Sequence, residues 1–84
     1  DIDVFEINEA FSSQSIAVIN ELSIDYQKVN IDGGAISIGH PLGASGARIV
    51  GKAASILNRT NSERAIATMC IGGGMGITIV LESP

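Results

Sequence analysis

Gly33-Gly34-Ala35-Ile36-Ser37-Ile38-Gly39-His40-Pro41-Leu42-Gly43-Ala44-Ser45-Gly46-Ala47-Arg48 carries the chain's only histidine, framed by glycines and a proline, just ahead of a run with helical spacing. Gly33 to Ile38 reads as a short buried strand, Gly39 to Gly43 as a loop, and Ala44 to about Asn58 as a helix. In that helix Ala47, Val50, Ala54 and Leu57 form one stripe. Its small residues Gly46, Gly51, Ala53 and Ala54 allow close approach to a sheet or a second helix. Upstream, Val4-Phe5-Glu6-Ile7 is an apolar run with one charge, read as a strand. Asn8 follows as a helix cap, and Glu9 to Leu22 has helical spacing, with Phe11, Ser15, Val18, Ile19 and Leu22 on one face. Ile24 to Asp32 reads as a connector. Downstream, Arg59 to Glu63 is turn-like. Ala65 to Ile71 and Ile77 to Leu81 are β-rich runs joined by glycines, an antiparallel hairpin. The order β-α-β-α-β-β predicts an α/β layer with a mostly parallel sheet and a C-terminal antiparallel hairpin.

Bulk properties narrow the function classes. Eighty-four residues make one small domain, which buries only roughly 60% of its unfolded surface. Hydrophobic residues are 45% and aromatics only 4%, so the core must be aliphatic. That much apolar material in so short a chain points to burial against another subunit or domain. The net charge is −4, with the acids scattered. No basic stripe is present to neutralise phosphates, so neither nucleic acid nor an anionic membrane surface is an expected partner. One cysteine makes no internal disulfide, so nothing suggests an oxidising compartment; the compartment stays open, with the cytoplasm favoured. One His and one Cys do not fill a zinc site. No apolar run reaches the ~18 residues of a membrane span. The chain starts at Asp1, so a processed product or a piece of something longer is expected.

Two glycine-dense stretches hold the chemistry. Pro41 fixes its own φ and pushes His40 towards extended geometry. His40 can serve as a general base or as a donor to a developing oxyanion. It can equally be a histidine at a helix start that bonds nearby backbone. Cys70 opens Cys70-Ile71-Gly72-Gly73-Gly74-Met75-Gly76. A thiol there can act as base or nucleophile if its pKa is lowered, and the glycines after it offer backbone N–H groups to an oxyanion. The alternative is a buried cysteine acting as a small hydrophobe. Asn8 in Asn8-Glu9-Ala10-Phe11 either caps the helix or holds a water or substrate oxygen at the carboxyl edge of the sheet. Phe11 by itself reads as core. The glycines from Gly39 to Gly46 match neither G-x-x-x-x-G-K-[ST] nor G-x-G-x-x-G, which sets a phosphate- or nucleotide-binding module aside.

Asn8-Glu9-Ala10-Phe11, Gly39-His40-Pro41 and Cys70-Ile71-Gly72, in this order and at these separations, resemble the C-terminal part of the thiolase family. The closest look is to the acetoacetyl-CoA thiolases (acetyl-CoA C-acetyltransferases), from Asp1 to Glu82. The resemblance implies an acyltransferase that makes or cleaves acetoacetyl-CoA through an acyl-cysteine. Coenzyme A thioesters are the implied substrates, and no cofactor is implied. His40 would activate the nucleophilic cysteine and, with a water on Asn8, hold the thioester carbonyl. Cys70 would move the α-proton. The N–H of Gly72 would hold the acyl-enzyme oxyanion, and Ala10 and Phe11 would line the substrate channel. The same resemblance implies that residues 1–84 are an incomplete C-terminal domain. The N-terminal domain with its nucleophile and the first strand–helix unit would be missing, the absent strand lying in mid-sheet between the strands present. The expected partners are therefore the remainder of the thiolase chain, acyl-CoA and CoA, and further copies in a homodimer or homotetramer. The 84-residue chain alone is expected to be inactive. The alternative expectation is a non-catalytic, self-associating domain derived from a thiolase.

Overall fold

The computed structural model describes residues 2–39, 45–72 and 75–84. The elements are β1 (Val4–Ile7), α1 (Ser12–Glu21), a 3-10 turn (Tyr26–Lys28), α2 (Ala35–Ile38), α3 (Ser45–Thr60), β2 (Arg64–Gly72) and β3 (Met75–Glu82). The sheet runs β1-β2-β3. β1 is parallel to β2, with Val4 opposite Ala65 and Ile7 opposite Thr68. β2 and β3 are antiparallel, from Arg64 opposite Glu82 to Cys70 opposite Gly76, with an irregularity between Cys70 and Gly72. The α/β class and the C-terminal antiparallel hairpin agree with the sequence reading. The mostly parallel sheet is met only in part, since one of the two strand pairings among the described residues is parallel and the other antiparallel.

The core lies between α3 and one sheet face: Val4, Ile49, Ala53, Ile56, Leu57, Ala65 and Ala67. Ala53 and Ala65 are fully buried, so the helix backbone comes close to the strands. The helix ends where Asn61 takes a left-handed φ of 54°, a conformation that Asn tolerates. The Ser62 N–H then returns to the Leu57 carbonyl at 3.1 Å.

Several expectations are corrected. Gly33 to Ile38 is not a strand. Asn30 and Gly33 have positive φ values of 47° and 92°, which turn the chain out of extended geometry. Ala35–Ile38 then forms one helical turn, closed by Gly39 N–H to Ala35 O at 2.7 Å. Among the described residues the β-type contact near it is an isolated parallel bridge between Phe5 and Val29. Asn8 is not a helix cap. α1 starts later, after Phe11, and has no side-chain cap bond, because Asn8 still extends β1 through its N–H to the Thr68 carbonyl at 3.0 Å. The buried face of α3 is Ser45, Ile49, Ala53, Ile56 and Leu57; Ala47 and Ala54 are exposed. The place expected for a further strand, between β1 and the hairpin, is not open, since β1 pairs directly with β2. Phe11, read as core, is 72% exposed.

Candidate functional site

Three of the candidates, Asn8, Cys70 and Gly72, lie at the carboxyl end of the parallel pair. Asn8 leaves β1 beside Thr68, and Cys70 lies two residues beyond Thr68 on β2. In open α/β sheets this edge is where ligands bind. Asn8 is buried, at 1% exposed. Cys70 is an exposed free thiol opposite Gly76, so the buried-hydrophobe reading of this cysteine does not hold. Gly72 closes β2 opposite Met75, just past the register shift. Thr68, on the same face of β2 as Cys70 by alternation, donates from its hydroxyl to the Ile77 carbonyl at 3.1 Å and meets the Thr78 hydroxyl at 2.7 Å. These bonds tie the hairpin together below the thiol. Ala10 and Phe11 bridge from Asn8 to α1, with Phe11 exposed. His40 lies outside the described residues, while Gly39 before it has a φ of 96°.

Sequence reading missed the residues that hold Asn8 in place. The Asn30 side chain accepts from Ile7 N–H at 2.8 Å and donates to the Ile7 carbonyl at 2.8 Å. Its own N–H donates to the Phe5 carbonyl at 2.8 Å. The Glu9 carboxylate accepts from Ile36 N–H at the start of α2 at 3.2 Å. Asn30 is one of several polar residues in the connector Ile24 to Asp32, and nothing in the sequence marks its partner.

Glu6 was also passed over, although a lone charge in an apolar strand is visible in the sequence. It is 1% exposed on the α3 side of the sheet, and its Oε2 has no hydrogen-bond partner among the described residues. Burial pushes its carboxyl up to about 7, opposed by the charges of Arg48 and Lys52 and assisted by Asp32 and Glu9. Asp32 is held by Arg59 in a two-point pair at 2.9 and 3.0 Å and by Lys52 at 3.4 Å. The Arg59 contact keeps the Asp32 carboxyl below the usual carboxylate range and pushes the guanidinium up.

An apolar cavity of about 540 Å³ lies between the first half of α3 and the hairpin, lined by Ile49, Val50, Met69, Ile77 and Ile79 with small residues. Its lining brings no acid, base or nucleophile. Among the described residues no cluster of His, Cys, Asp and Glu could hold a metal ion, and no helix is long and apolar enough to cross a membrane.

Comparison with known proteins places this arrangement. Residues 1–83 match the model of the thiolase C-terminal domain. The chain is 55% identical over 82 residues to the cytosolic acetyl-CoA acetyltransferase of Rattus norvegicus, covering 98% of this chain and 21% of that protein. It is 52% identical over 82 residues to the 3-ketoacyl-CoA thiolase of Bacillus subtilis, with the same coverage. The crystal structure of the Bacillus anthracis acetyl-CoA acetyltransferase superposes with a TM-score of 0.93 at 44% identity, over 96% of this chain and 21% of that one. The chain therefore spans about a fifth of the length of the relatives it matches. By the family match along its length and the near-coincidence of fold, the chain belongs to the thiolase family, as a C-terminal domain.

Proposed function

We propose that this segment supplies half of the active site of an acetyl-CoA C-acetyltransferase, which joins two acetyl units into acetoacetyl-CoA or cleaves them by thiolysis. The observation that carries the reading is the meeting of Asn8, Cys70 and Gly72 at one end of adjacent strands, in a chain that matches acetyl-CoA acetyltransferases over 98% of its length. The nucleophilic cysteine lies elsewhere in the protein, and His40 takes its proton. The thiolate displaces CoA from the first acetyl-CoA to give an acetyl-cysteine, and the proton taken by His40 leaves on the CoA sulfur. The N–H of Gly72 stabilises the oxyanion formed at its carbonyl. The Cys70 thiolate then takes a proton from the α-carbon of a second acetyl-CoA. His40 and a water held by Asn8 carry the negative charge that builds on that thioester oxygen. The carbanion attacks the acetyl-cysteine, a C–C bond forms, and the C–S bond to the nucleophilic cysteine breaks. Ala10 and Phe11 line the channel by which the thioester reaches this edge.

The test is a pair of half-reactions in the intact protein. Positioned acid–base groups contribute about 10²–10⁴-fold. Cys70→Ala is expected to leave acetyl-enzyme formation from acetyl-CoA intact and to lower condensation by about 100-fold or more. His40→Ala is expected to impair both. Condensation at the parent rate in folded Cys70→Ala would overturn the reading.

A further inference from the structure

We infer that Asn30 is a positioning residue for Asn8 in the acyl-transfer reaction; this inference rests on the functional reading above. Asn8 follows a peptide unit held on both edges. The carbonyl of the Ile7–Asn8 peptide accepts from Asn30 Nδ2 at 2.8 Å, and its N–H donates to the Thr68 carbonyl at 3.0 Å. Two opposed bonds fix the plane of that peptide, and with it the Asn8 Cα from which the side chain leaves. On the Thr68 side the partner is a strand. On the other side no strand continues past the isolated bridge at Val29, and the Asn30 side chain replaces one. Its acceptor takes Ile7 N–H and its donor takes Ile7 C=O, the two bonds a neighbouring strand would make. Asn suits this task because it carries both groups on a short planar amide and tolerates the positive φ of 47° found there.

The same residue reaches towards the second motif. A Cβ built on Gly34 would fall 2.8 Å from Asn30 Nδ2 and against the Glu9 carboxylate. Glu9 in turn accepts from Ile36 N–H at the start of α2, the turn that ends at Gly39 before His40. Asn30, Glu9 and Gly34 thus join the segment bearing Asn8 to the segment leading into His40. Asn30 acts through Asn8 and touches no substrate. Misplacement of a catalytic group by about 1 Å can cost on the order of 10²-fold, so the bracket is expected to be read in turnover.

The experiment uses the intact protein and four variants: Asn8→Ala, Asn30→Ala, Asn30→Asp and the double variant Asn8→Ala/Asn30→Ala. Asn30→Asp keeps the acceptor for Ile7 N–H and removes the donor to Ile7 C=O. If Asn30→Ala fails to fold, Asn30→Asp replaces it alone and in the double variant. The expected result is that kcat for condensation falls tenfold or more in the Asn30 variant while the KM for acetyl-CoA moves by less than about twofold. The double variant is expected to match Asn8→Ala, with no further loss. If Asn8→Ala is impaired and the Asn30 loss adds to it in full, Asn30 acts elsewhere and this inference falls while the reading of Asn8 stands. A parent-like kcat in the folded Asn30 variant overturns it as well. A parent-like rate in Asn8→Ala removes the role of Asn8 itself, and the positioning role with it.

Discussion

At Glu6 a carboxyl group is packed between sheet and helix with a raised pKa of about 7. Its folded-state pKa is above its unfolded value, so the folded state holds the proton more tightly. The stabilisation that this proton carries is present in full below the unfolded pKa and is lost as pH rises towards 7. With Glu6 as the variable, stability is expected to fall between about pH 4.5 and 7 by roughly 3 kcal/mol at most. Glu6→Gln is expected to flatten this loss, becoming more stable than the parent at pH 8 and no more stable at pH 5. Urea melts at the two pH values check it, and parallel pH profiles for both proteins would count against it. At the acid end Asp3 and Asp32 act with the opposite sign. Backbone N–H donors from Glu63 and Arg64 lower Asp3, and Arg59 lowers Asp32. Their contribution is present above the unfolded pKa and lost as pH falls through the depressed values. Gly34 makes a different test. Gly34→Ala pushes a methyl group against Glu9 and Asn30, at a cost of about 1–3 kcal/mol if the neighbours shift. Activity is expected to fall with stability, because both neighbours brace Asn8 and α2. A variant with parent stability and turnover would show that the contact is relieved at no cost.

Among the elements, α3 decides the packing and Asn30 to Gly34 ties the loop to it. Ile56 is fully buried against the sheet, so Ile56→Ala is expected to cost about 2–5 kcal/mol in urea denaturation. Ala54 is exposed on the far face of the helix, and Ala54→Ser is expected to stay within about 0.5 kcal/mol. Equal losses at both positions would mean that the helix is rotated from the face described. The bidentate contact of Asp32 with Arg59, together with Lys52, holds the loop on the flank of α3. Asp32→Asn is expected to destabilise at low ionic strength, and the difference is expected to shrink in 1 M salt because exposed pairs are screened. A loss independent of salt would assign the effect to packing rather than charge.

For the whole molecule, the chain leaves much apolar surface uncovered. Phe11, Leu22, Ile36 and Val80 are each 60% exposed or more, and the chain covers about a fifth of the length of its relatives. The proposed chemistry also needs a nucleophile that is not among these 84 residues. The 84-residue chain alone is expected to release no CoA above background from acetyl-CoA, and to melt at a temperature that rises with protein concentration as the uncovered surface pairs. A purified chain with measurable condensation would defeat the division of the active site between two parts. A melting temperature independent of concentration would show that the exposed faces do not associate.

Local pattern was enough for the α/β class, for α3 within two residues at its end, for the hairpin and for the glycine-framed His and Cys motifs, because periodicity and turn chemistry are properties of neighbours in the chain. The family resemblance was carried by short motifs in order, which sequence alone preserves. The strand expected at Gly33 to Ile38 failed because positive φ at Asn30 and Gly33 turned an apolar run into one helical turn, and burial by itself does not distinguish the two. The cap role of Asn8 failed because α1 starts only at Ser12, with Phe11 in the cap position, while Asn8 prolongs the strand through its bond to Thr68, sixty residues away in sequence. The stripe on α3 was misplaced because small residues lie on both faces, and only contact with Val4, Ala65 and Ala67 decides which is buried. The direct pairing of β1 with β2, the meeting of Asn8 and Cys70 at one sheet edge, and the bracket that Asn30 places on Ile7 all depend on bonds between distant segments. Tertiary structure alone decides them, since a backbone donor finds its partner by where the strands lie in space.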